Sequence, residues 1–320
     1  MNRPPPPPHL YFLVSAVFHY LGPAFAVLLF ARVDVLGVAW LRIASAALIF
    51  ALWRRPWRAY AAQDCDGRRL LLAWGTVLAL MNVCFYTAID HLALGTVAAI
   101  EFLPVIALAA LGARSPRNLA ALALAVPGVY LLTDVQLTAQ PLGLAFAFAN
   151  AGLFALYIVL ADRVAKRDCL GGIDGLAASM LIAAVVVTPL GGWEVIGVAG
   201  DPVALLAGIG VGVASSVIPY VCDQLALARL RRATYALLVS LLPATATVIG
   251  IVVLAQIPTP AETAGLALVI AGVALHREPR TPAAPGAPLT PAAPPDPSAT
   301  PRAAIPTPAW PTGPAAASRS

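Results

Sequence analysis

Charged residues are scarce in this chain: only 11% of its 320 residues are Asp, Glu, Lys or Arg, against about 25% in soluble domains. Together with 60% hydrophobic residues, this composition excludes a soluble domain and indicates an integral membrane protein. The four cysteines show no spacing typical of disulfides or a metal site. The zinc-protease, Cys-x-x-Cys and Gly-rich phosphate-binding motifs are also missing. No cofactor and no nucleic-acid partner are predicted, and ATP-driven transport by this chain alone is disfavoured.

Hydrophobic runs divide most of the chain, and they predict an all-α protein with ten transmembrane helices. The runs are Leu10–Ala31, Val35–Trp53, Leu70–Ile89, Leu94–Ala113, Asn118–Thr133, Pro141–Ala161, Ile173–Gly192, Pro202–Ala228, Ala233–Ala255 and Thr263–Leu275. The net charge of +5 comes from basic residues between these runs. There they set the orientation in the membrane rather than bind nucleic acid.

The placement of Lys and Arg residues tests the prediction of ten spans. The even-numbered loops hold thirteen basic residues, whereas the odd-numbered loops hold only Arg32. The positive-inside rule then places the even loops and both chain termini in the cytoplasm. Miscounting one span would have destroyed this alternation, so the loops favour ten spans.

Ten spans divide into two halves of five, and an odd number of spans in each half predicts two inverted repeats. The expected organisation is a Pro-rich tail at 1–9, a first repeat at 10–133, a second at 134–275 and a disordered Pro/Ala-rich tail at 276–320. An internal echo supports the duplication: EFLPVIALAAL around Pro104 resembles SLLPATATVIG around Pro243. The apolar N-terminal run is too long for a signal peptide and is expected to stay as the first helix.

Ionisable and amide side chains lie inside the predicted spans, where an uncompensated charge is costly. Arg42, Asn82 and Glu101 each lie seven residues from the outer end of a span, roughly 10 Å deep at 1.5 Å per residue. Asn150 is slightly deeper, and His19 is near mid-membrane. Polar groups from five helices therefore share one layer.

Two interpretations of Arg42 and Glu101 follow. They form a fixed ion pair that joins two spans, or they bind a zwitterion, with Arg42 facing a carboxylate and Glu101 facing an ammonium or exchanging a proton. Helical spacing also places Tyr86 beside Asn82, Tyr157 with Asn150, and Tyr220 between Ser216 and Asp223. These polar stripes either join helices or line a central cavity. Asp223 is expected at a solvated helix end. Helix kinks are predicted at Pro104, Pro219 and Pro243.

A family resemblance rests on the stretch from Met81 to Leu111. Its matching residues are Met81, Asn82, Phe85, Tyr86, Leu94, Gly95, Glu101, Phe102 and Pro104; weaker matches are Leu41, Arg42, Tyr157, Ile158, Pro219 and Tyr220. The chain thus resembles the EamA group of the drug/metabolite transporter superfamily over about residues 15–275. Leu103, Leu242 and Gln256 depart from the pattern of that group's amino-acid exporters, which have Gly or Glu there, so the second half has lost acidic character.

The resemblance implies a multi-pass secondary transporter of the bacterial inner membrane. It would export a small polar metabolite, an amino acid such as threonine or homoserine, by proton antiport. Glu101 and Arg42 would bind substrate or couple protons, with Asn82, Tyr86, Asn150, Tyr157, Tyr220 and His19 lining the site. Its partners would be a small-molecule substrate, protons and the lipid bilayer; no oligomeric state is predicted. The alternatives are a drug or other metabolite permease working in either direction and, more distantly, a non-transporting sensor or a membrane-embedded enzyme.

Overall fold

A computed structural model describes residues 8–112, 115–134, 140–165, 167, 172–227 and 241–275. These residues form α-helices and contain no strand. The helices are α1 (Pro8–Leu29), α2 (Val35–Arg54), α3 (Pro56–Ala61), α4 (Cys65–His91), α5 (Leu94–Gly112), α6 (Pro116–Asp134), α7 (Pro141–Ala165), α8 (Gly172–Ile196), α9 (Pro202–Gly212), a π-helical segment (Val213–Val217), α10 (Ile218–Leu227), α11 (Leu242–Leu254) and α12 (Pro260–Leu275).

Six helical stretches are long and apolar enough to cross a membrane: Leu10–Leu29, Val35–Arg54, Cys65–His91, Pro141–Ala165, Ile173–Ile196 and Pro202–Asp223. Four shorter apolar helices accompany them, in α5, α6, α11 and α12. Large apolar side chains point outward from these helices; Leu52 and Val252 are each 77% exposed, and Trp193 is 70% exposed. Such a surface suits lipid rather than water.

Capping residues explain where several helices begin. α4 starts at Cys65, earlier than the hydrophobic run predicted, because Asp64 accepts a 2.7 Å hydrogen bond from the Gly67 N–H. α12 starts at Pro260 rather than at Thr263. There, Glu262 accepts a 2.7 Å bond from the Thr259 N–H, and the Thr259 hydroxyl accepts one from the Glu262 N–H. This reciprocal pair is a capping box, which satisfies backbone donors that the helix leaves free.

One helix and one irregularity were not predicted. α3 follows Arg55, whose left-handed backbone (φ 51°) ends α2 and places Pro56 at the first position of a new helix. Proline is well suited to that position because its missing N–H is not needed there. The π-helical segment precedes Pro219, which suggests that the proline disturbs the regular hydrogen-bond ladder.

Helix packing follows a regular scheme across the described part of the chain. α2 lies along α8, α6 along α12, and α5 against α11. α4 packs along α7, and α1 packs along α9, the π segment and α10. The resulting core contains Phe85, Tyr86, Leu94, Ile100 and Ile106 among many alanines.

Glycines allow the close approach of these helices, as is common in membranes. A Cβ on Gly75 of α4 would lie 2.7 Å from the Ser179 carbonyl of α8. A Cβ on Gly212 of α9 would lie 2.7 Å from the Arg42 carbonyl of α2 and would also meet Ser45. Both serines donate to the carbonyl three residues earlier in their helix, Ser45 at 3.1 Å and Ser179 at 2.9 Å.

A second recurring pattern is an ion pair on a capping aspartate. Arg167 donates to Asp64 at 2.7 Å, and Arg32 donates to Asp201 at 3.3 Å. Asp64 caps α4, and Asp201 caps α9. The Gly67 N–H, and then Arg167, hold the pKa of Asp64 below its usual value. The Ala204 N–H is the main cause of the lowered pKa of Asp201.

The contact between α6 and α12 is reciprocal. A Cβ on Gly128 would lie 2.8 Å from the Gly265 carbonyl, and a Cβ on Gly265 would lie 2.7 Å from the Gly128 carbonyl. Further along, a Cβ on Gly272 would meet the Ala121 carbonyl at 2.8 Å. The register therefore runs antiparallel, and the two backbones nearly touch where Gly128 faces Gly265.

Several predictions fall on residues that the structure does not describe. These are most of the Pro-rich N-terminal tail, the first part of the predicted ninth span and the 276–320 tail. All described residues belong to the compact unit Met1–Pro279.

Candidate functional site

Arg42 lies at the centre of the candidate site. It is 6% exposed in α2, so its charge is held inside the bundle. Its Nε donates to the Ser216 Oγ at 3.1 Å, and its Nη2 donates to the Ser215 carbonyl, also at 3.1 Å. The guanidinium also lies over the Tyr86 ring, 5.3 Å from its centroid. These contacts use only part of a group with five N–H donors.

The Ser215 carbonyl is available because of Pro219. In an α-helix that carbonyl would accept from the N–H four residues later, and proline has none. The chain forms the π segment Val213–Val217 just before this point. The freed oxygen accepts from Arg42, so an irregular backbone provides part of the binding site for a buried cation, as is typical where membrane helices line polar sites.

Glu101 is the second buried charge, 8% exposed in α5. It lies close enough to Arg42 for the two charges to interact, and the Asn150 side chain is a polar neighbour. No salt bridge within 4.0 Å joins Glu101 to Arg42, since the guanidinium bonds to Ser215 and Ser216 instead. Arg42 and Glu101 therefore interact through space, without direct contact.

Unsatisfied polar atoms surround these two charges. Within the described residues, neither polar atom of the Asn150 amide has a hydrogen-bond partner of good geometry, and neither does the Tyr86 hydroxyl. Asn150 nevertheless lies close enough to Glu101, and Tyr86 close enough to Arg42 and Ser215, for weaker polar interactions. Both side chains are fully buried. Buried polar groups are normally hydrogen-bonded, so each of these unpaired atoms needs an explanation. A polar ligand or water between Arg42 and Glu101 would supply their partners.

Two more predicted residues, His19 and Tyr220, are near this centre, and a third, Tyr157, is not. His19 lies within electrostatic range of Arg42 and packs edge-on against Tyr20, with centroids 5.3 Å apart. Tyr220 lies within range of both Arg42 and Glu101. Tyr157 is further from the centre: its ring is 5.6 Å from Trp74 and 6.4 Å from Phe154, and its charged neighbour is Asp223.

Asn82 differs from the other predicted site residues. It is 4% exposed and donates its amide to the Leu78 carbonyl at 2.8 Å, one turn earlier in its own helix. This bond gives the amide a local partner. Asp223, expected at a solvated helix end, is instead partly buried, with Ser15 and Tyr157 as neighbours.

The prolines predicted as kinks occupy different places. Pro104 is inside α5, and Pro219 is in α10 directly after the π segment. Pro243 is in the first turn of α11, whose described part begins at Leu242. Pro23 and Pro127 are also inside helices.

Ser215 and the contacts of Ser216 with Arg42 were missed by the sequence reasoning. A usable signal existed, because Ser215 stands four residues before Pro219 and so carries the carbonyl that the proline frees.

Two cavities of the described residues lie away from Arg42 and Glu101. One, of about 510 Å³, is an apolar groove between α1 and α9; the other is lined by α5, α11 and α12. The described residues contain no group of three or more His, Cys, Asp or Glu that could hold a metal.

Comparison with known proteins identifies transporters that are similar to this chain. Residues 141–277 match the EamA-like transporter family. The threonine/homoserine exporter RhtA of Salmonella typhimurium is 32% identical over 289 residues, which cover 85% of this chain and 94% of that protein. RhtA of Escherichia coli is 31% identical over 275 residues, covering 82% of this chain and 89% of that protein.

A crystal structure of a protein also aligns with this chain. It covers 83% of this chain and 96% of its own length, with a TM-score of 0.54 and 16% sequence identity. This likeness concerns the fold alone.

Proposed function

This chain belongs to the EamA-like transporter family, and we propose that it exports a small amino acid, such as threonine or homoserine, across the bacterial inner membrane. Its similarity to threonine/homoserine exporters over more than four fifths of its length supports this substrate class. The observation that carries the proposal is the pair Arg42 and Glu101, which are opposite charges, buried together and not joined to each other.

A zwitterion matches that pair. Its carboxylate would accept from the remaining guanidinium donors of Arg42, because guanidinium and carboxylate pair in a bidentate geometry. Its ammonium would donate to the Glu101 carboxylate. The Asn150 amide and the Tyr86 hydroxyl would gain hydrogen bonds of good geometry, which they do not make with the described residues. Uncharged or apolar molecules would leave both charges unpaired, which is costly inside the membrane.

The other predicted residues take lesser roles. Tyr220 and His19 would border the bound amino acid, since both are within range of Arg42. Tyr157 would form part of an aromatic wall with Trp74 and Phe154. Asn82 would stabilise α4 through its bond to Leu78 and act on the substrate only indirectly, through Tyr86 one turn later.

The proposed architecture has ten spans in two inverted repeats, with both termini in the cytoplasm. Corresponding contacts at a nearly constant spacing support it. Five residue pairs lie 134 to 137 positions apart: Arg32 and Arg167, Asp64 and Asp201, Gly75 and Gly212, Ser45 and Ser179, and Gly128 and Gly265. Members of a pair make equivalent contacts in the two halves. Together they form two ion pairs, two glycine–helix contacts and one reciprocal glycine contact. The match to the EamA family, residues 141–277, has the length of one such repeat.

Proton antiport is the proposed energy source. Glu101 would carry either a proton or the substrate ammonium, so that binding of one excludes the other. The two repeats would rock about their shared helix contacts to expose the site to each side in turn.

Export of labelled amino acids from cells tests the proposal. Wild type and Glu101→Gln are compared at matched membrane levels. We expect export of threonine or homoserine by wild type, dependent on the proton gradient, and loss of that export in the variant, because the amide cannot carry the proton or pair the ammonium.

Glu194→Gln is the matched control, since it makes the same substitution at a carboxylate outside the site. Undiminished export by Glu101→Gln would contradict the role of this carboxylate. Wild-type export of none of the amino acids tested would contradict the substrate class and favour another polar metabolite.

A further inference from the structure

The apolar groove between α1 and α9 opens on the apolar surface of the bundle. Its α1 wall contains Phe25, Leu28 and Leu29, and both Phe25 and Leu28 are exposed. Its α9 wall consists mostly of alanine and glycine, and about 510 Å³ is left between the two helices. A groove that opens on an apolar surface suits a flexible hydrocarbon chain better than a polar solute.

The groove has the length of one membrane leaflet. Ala214 follows Val203 by eleven positions in its lining, and at 1.5 Å per residue this stretch is roughly 16 Å long. Half of a hydrocarbon core of about 30 Å is about 15 Å. One acyl chain therefore fits from the membrane surface to the middle of the bilayer, and in the proposed orientation it belongs to the outer leaflet.

An ion pair lies at the membrane-surface end of the groove. Arg32 is the charged residue of the lining, and its Nη1 donates to the Asp201 Oδ2 at 3.3 Å. This bond is longer than the about 2.7–2.9 Å of a strong charge-assisted bond, and the two side chains are 59% and 37% exposed. A guanidinium has five N–H donors, and a carboxylate has about four acceptor sites, of which the Asp201 side chain uses three, for Arg32, Val203 and Ala204. The pair therefore presents both a donor and an acceptor to the head of a bound lipid.

The charges at this end of the groove favour one kind of headgroup. Arg32 is the only Lys or Arg of the predicted odd-numbered loops, whereas Asp34 and Asp201 both cap helices there. An anionic headgroup would therefore meet an excess of negative charge. Phosphatidylethanolamine is zwitterionic: its phosphate accepts from a guanidinium, and its ammonium has three N–H donors for a carboxylate. Phosphatidylcholine has the same charges, but its methylated ammonium has no N–H to donate.

We propose that one phosphatidylethanolamine molecule binds in this groove. An acyl chain lies between α1 and α9, the phosphate accepts from Arg32, and the ammonium donates to Asp201. Because α1 belongs to the first proposed repeat and α9 to the second, the lipid joins the two repeats.

The groove also adjoins the candidate site. Ala214, at its inner end, directly precedes Ser215, whose carbonyl accepts from Arg42. A lipid chain against Ala214 therefore packs on the segment that holds the Arg42 guanidinium, and its loss should lower the transport rate. This consequence for transport rests on the proposed function, whereas the binding itself does not.

Native mass spectrometry of the purified full-length protein in detergent tests the binding. Phosphatidylethanolamine, phosphatidylcholine and phosphatidylglycerol with identical acyl chains are titrated separately. We expect the first molecule of phosphatidylethanolamine to bind about threefold to tenfold more tightly than the first molecule of either other lipid, because exposed charge-assisted contacts are individually weak.

Asp201→Asn separates the headgroup contact from helix capping. Asparagine caps a helix as well as aspartate does, so α9 should keep its start. The preference for phosphatidylethanolamine over phosphatidylcholine should disappear, because the ammonium loses its charged partner.

Gly210→Leu tests the contact with the acyl chain. A Cβ on Gly210 would meet no atom within 4 Å, so the helix can accept the larger side chain. That side chain should fill the groove and weaken the binding of all three lipids severalfold. Gly152→Leu is the matched control, because a Cβ on Gly152 of α7 would also meet nothing within 4 Å and this residue does not line the groove.

Four results would overturn the proposal: equal affinity for phosphatidylethanolamine and phosphatidylcholine, tighter binding of phosphatidylglycerol, an unchanged preference after Asp201→Asn, or equal weakening by Gly210→Leu and Gly152→Leu. Threonine transport is measured separately, in phosphatidylcholine vesicles with and without phosphatidylethanolamine. Faster transport with phosphatidylethanolamine by wild type, but not by Asp201→Asn, would support the link to the site, and equal rates would overturn it. Absence of any amino-acid transport would remove the proposed function and leave the binding result to decide the groove.

Discussion

The two halves of the molecule share their packing but differ in charge. Gly75 on Ser179 and Gly212 on Ser45 are equivalent contacts, yet Arg42, three residues before Ser45, corresponds to Leu176 before Ser179. The helix irregularities differ in the same way. Pro219 frees the Ser215 carbonyl for Arg42, whereas at the corresponding position Asn82 gives the Leu78 carbonyl an additional bond. The shared contacts specify the fold, and the differences create the candidate site.

The largest effect is expected from Arg42→Leu. This substitution gives the first half a leucine, the residue type that the second half has at the corresponding position. We expect export to fall more than tenfold, because the substrate carboxylate loses its partner and the Ser215 carbonyl loses its donor. Initial rates of export at matched membrane levels measure this effect. Arg42→Lys should retain part of the activity, since it keeps the charge without the planar fork. Full export by the leucine variant would contradict the assignment of Arg42.

The shared contact between Gly128 and Gly265 gives the next largest effect. Alanine at either position should destabilise the protein by about 1–3 kcal/mol, because the added methyl overlaps a backbone carbonyl. Thermal unfolding in detergent measures this change. The double variant should cost less than the two single variants added together, since both disturb one contact. Additive losses would show that the two glycines act independently.

A smaller effect is expected from removing the proline that distinguishes the halves. Pro219→Ala supplies an N–H that competes with Arg42 for the Ser215 carbonyl, so we expect a severalfold loss of export and a more regular helix. Asn82→Ala is the companion variant. It should alter stability by about 1 kcal/mol and export little. A greater loss of export in Asn82→Ala than in Pro219→Ala would reverse the roles assigned to these residues.

The smallest effect concerns the equivalent ion pairs, Asp64–Arg167 and Asp201–Arg32. Folding lowers the pKa of Asp64, so its carboxylate stabilises the protein above about pH 4. That contribution is lost as the pH falls through the lowered folded value. Asp64→Asn should therefore lower the melting temperature slightly at neutral pH and by less at pH 3. Because the side chain is 65% exposed, a large change at neutral pH would contradict this description.

Much of the fold could be predicted from the sequence, because lipid demands long apolar runs and the loops carry the charge asymmetry. The first residues of the helices were harder to predict. α4 and α12 begin earlier than their apolar runs, at caps formed by Asp64 and Thr259. Depth along a helix predicted that Arg42, Glu101 and Asn150 share a layer. It could not predict which backbone carbonyl Arg42 would bind, since that depends on how α2 meets the π segment in three dimensions.

The reciprocal contact of α6 with α12 also has a consequence for biosynthesis. Gly128 leaves the ribosome 137 residues before Gly265, which at about 5–20 residues per second is a wait of roughly 7 to 27 seconds. During that time the glycine face of α6 has no permanent partner in its own chain. Lipids or the insertion machinery must cover it until α12 arrives, so the first half of this protein completes its packing only after α12 has been synthesised.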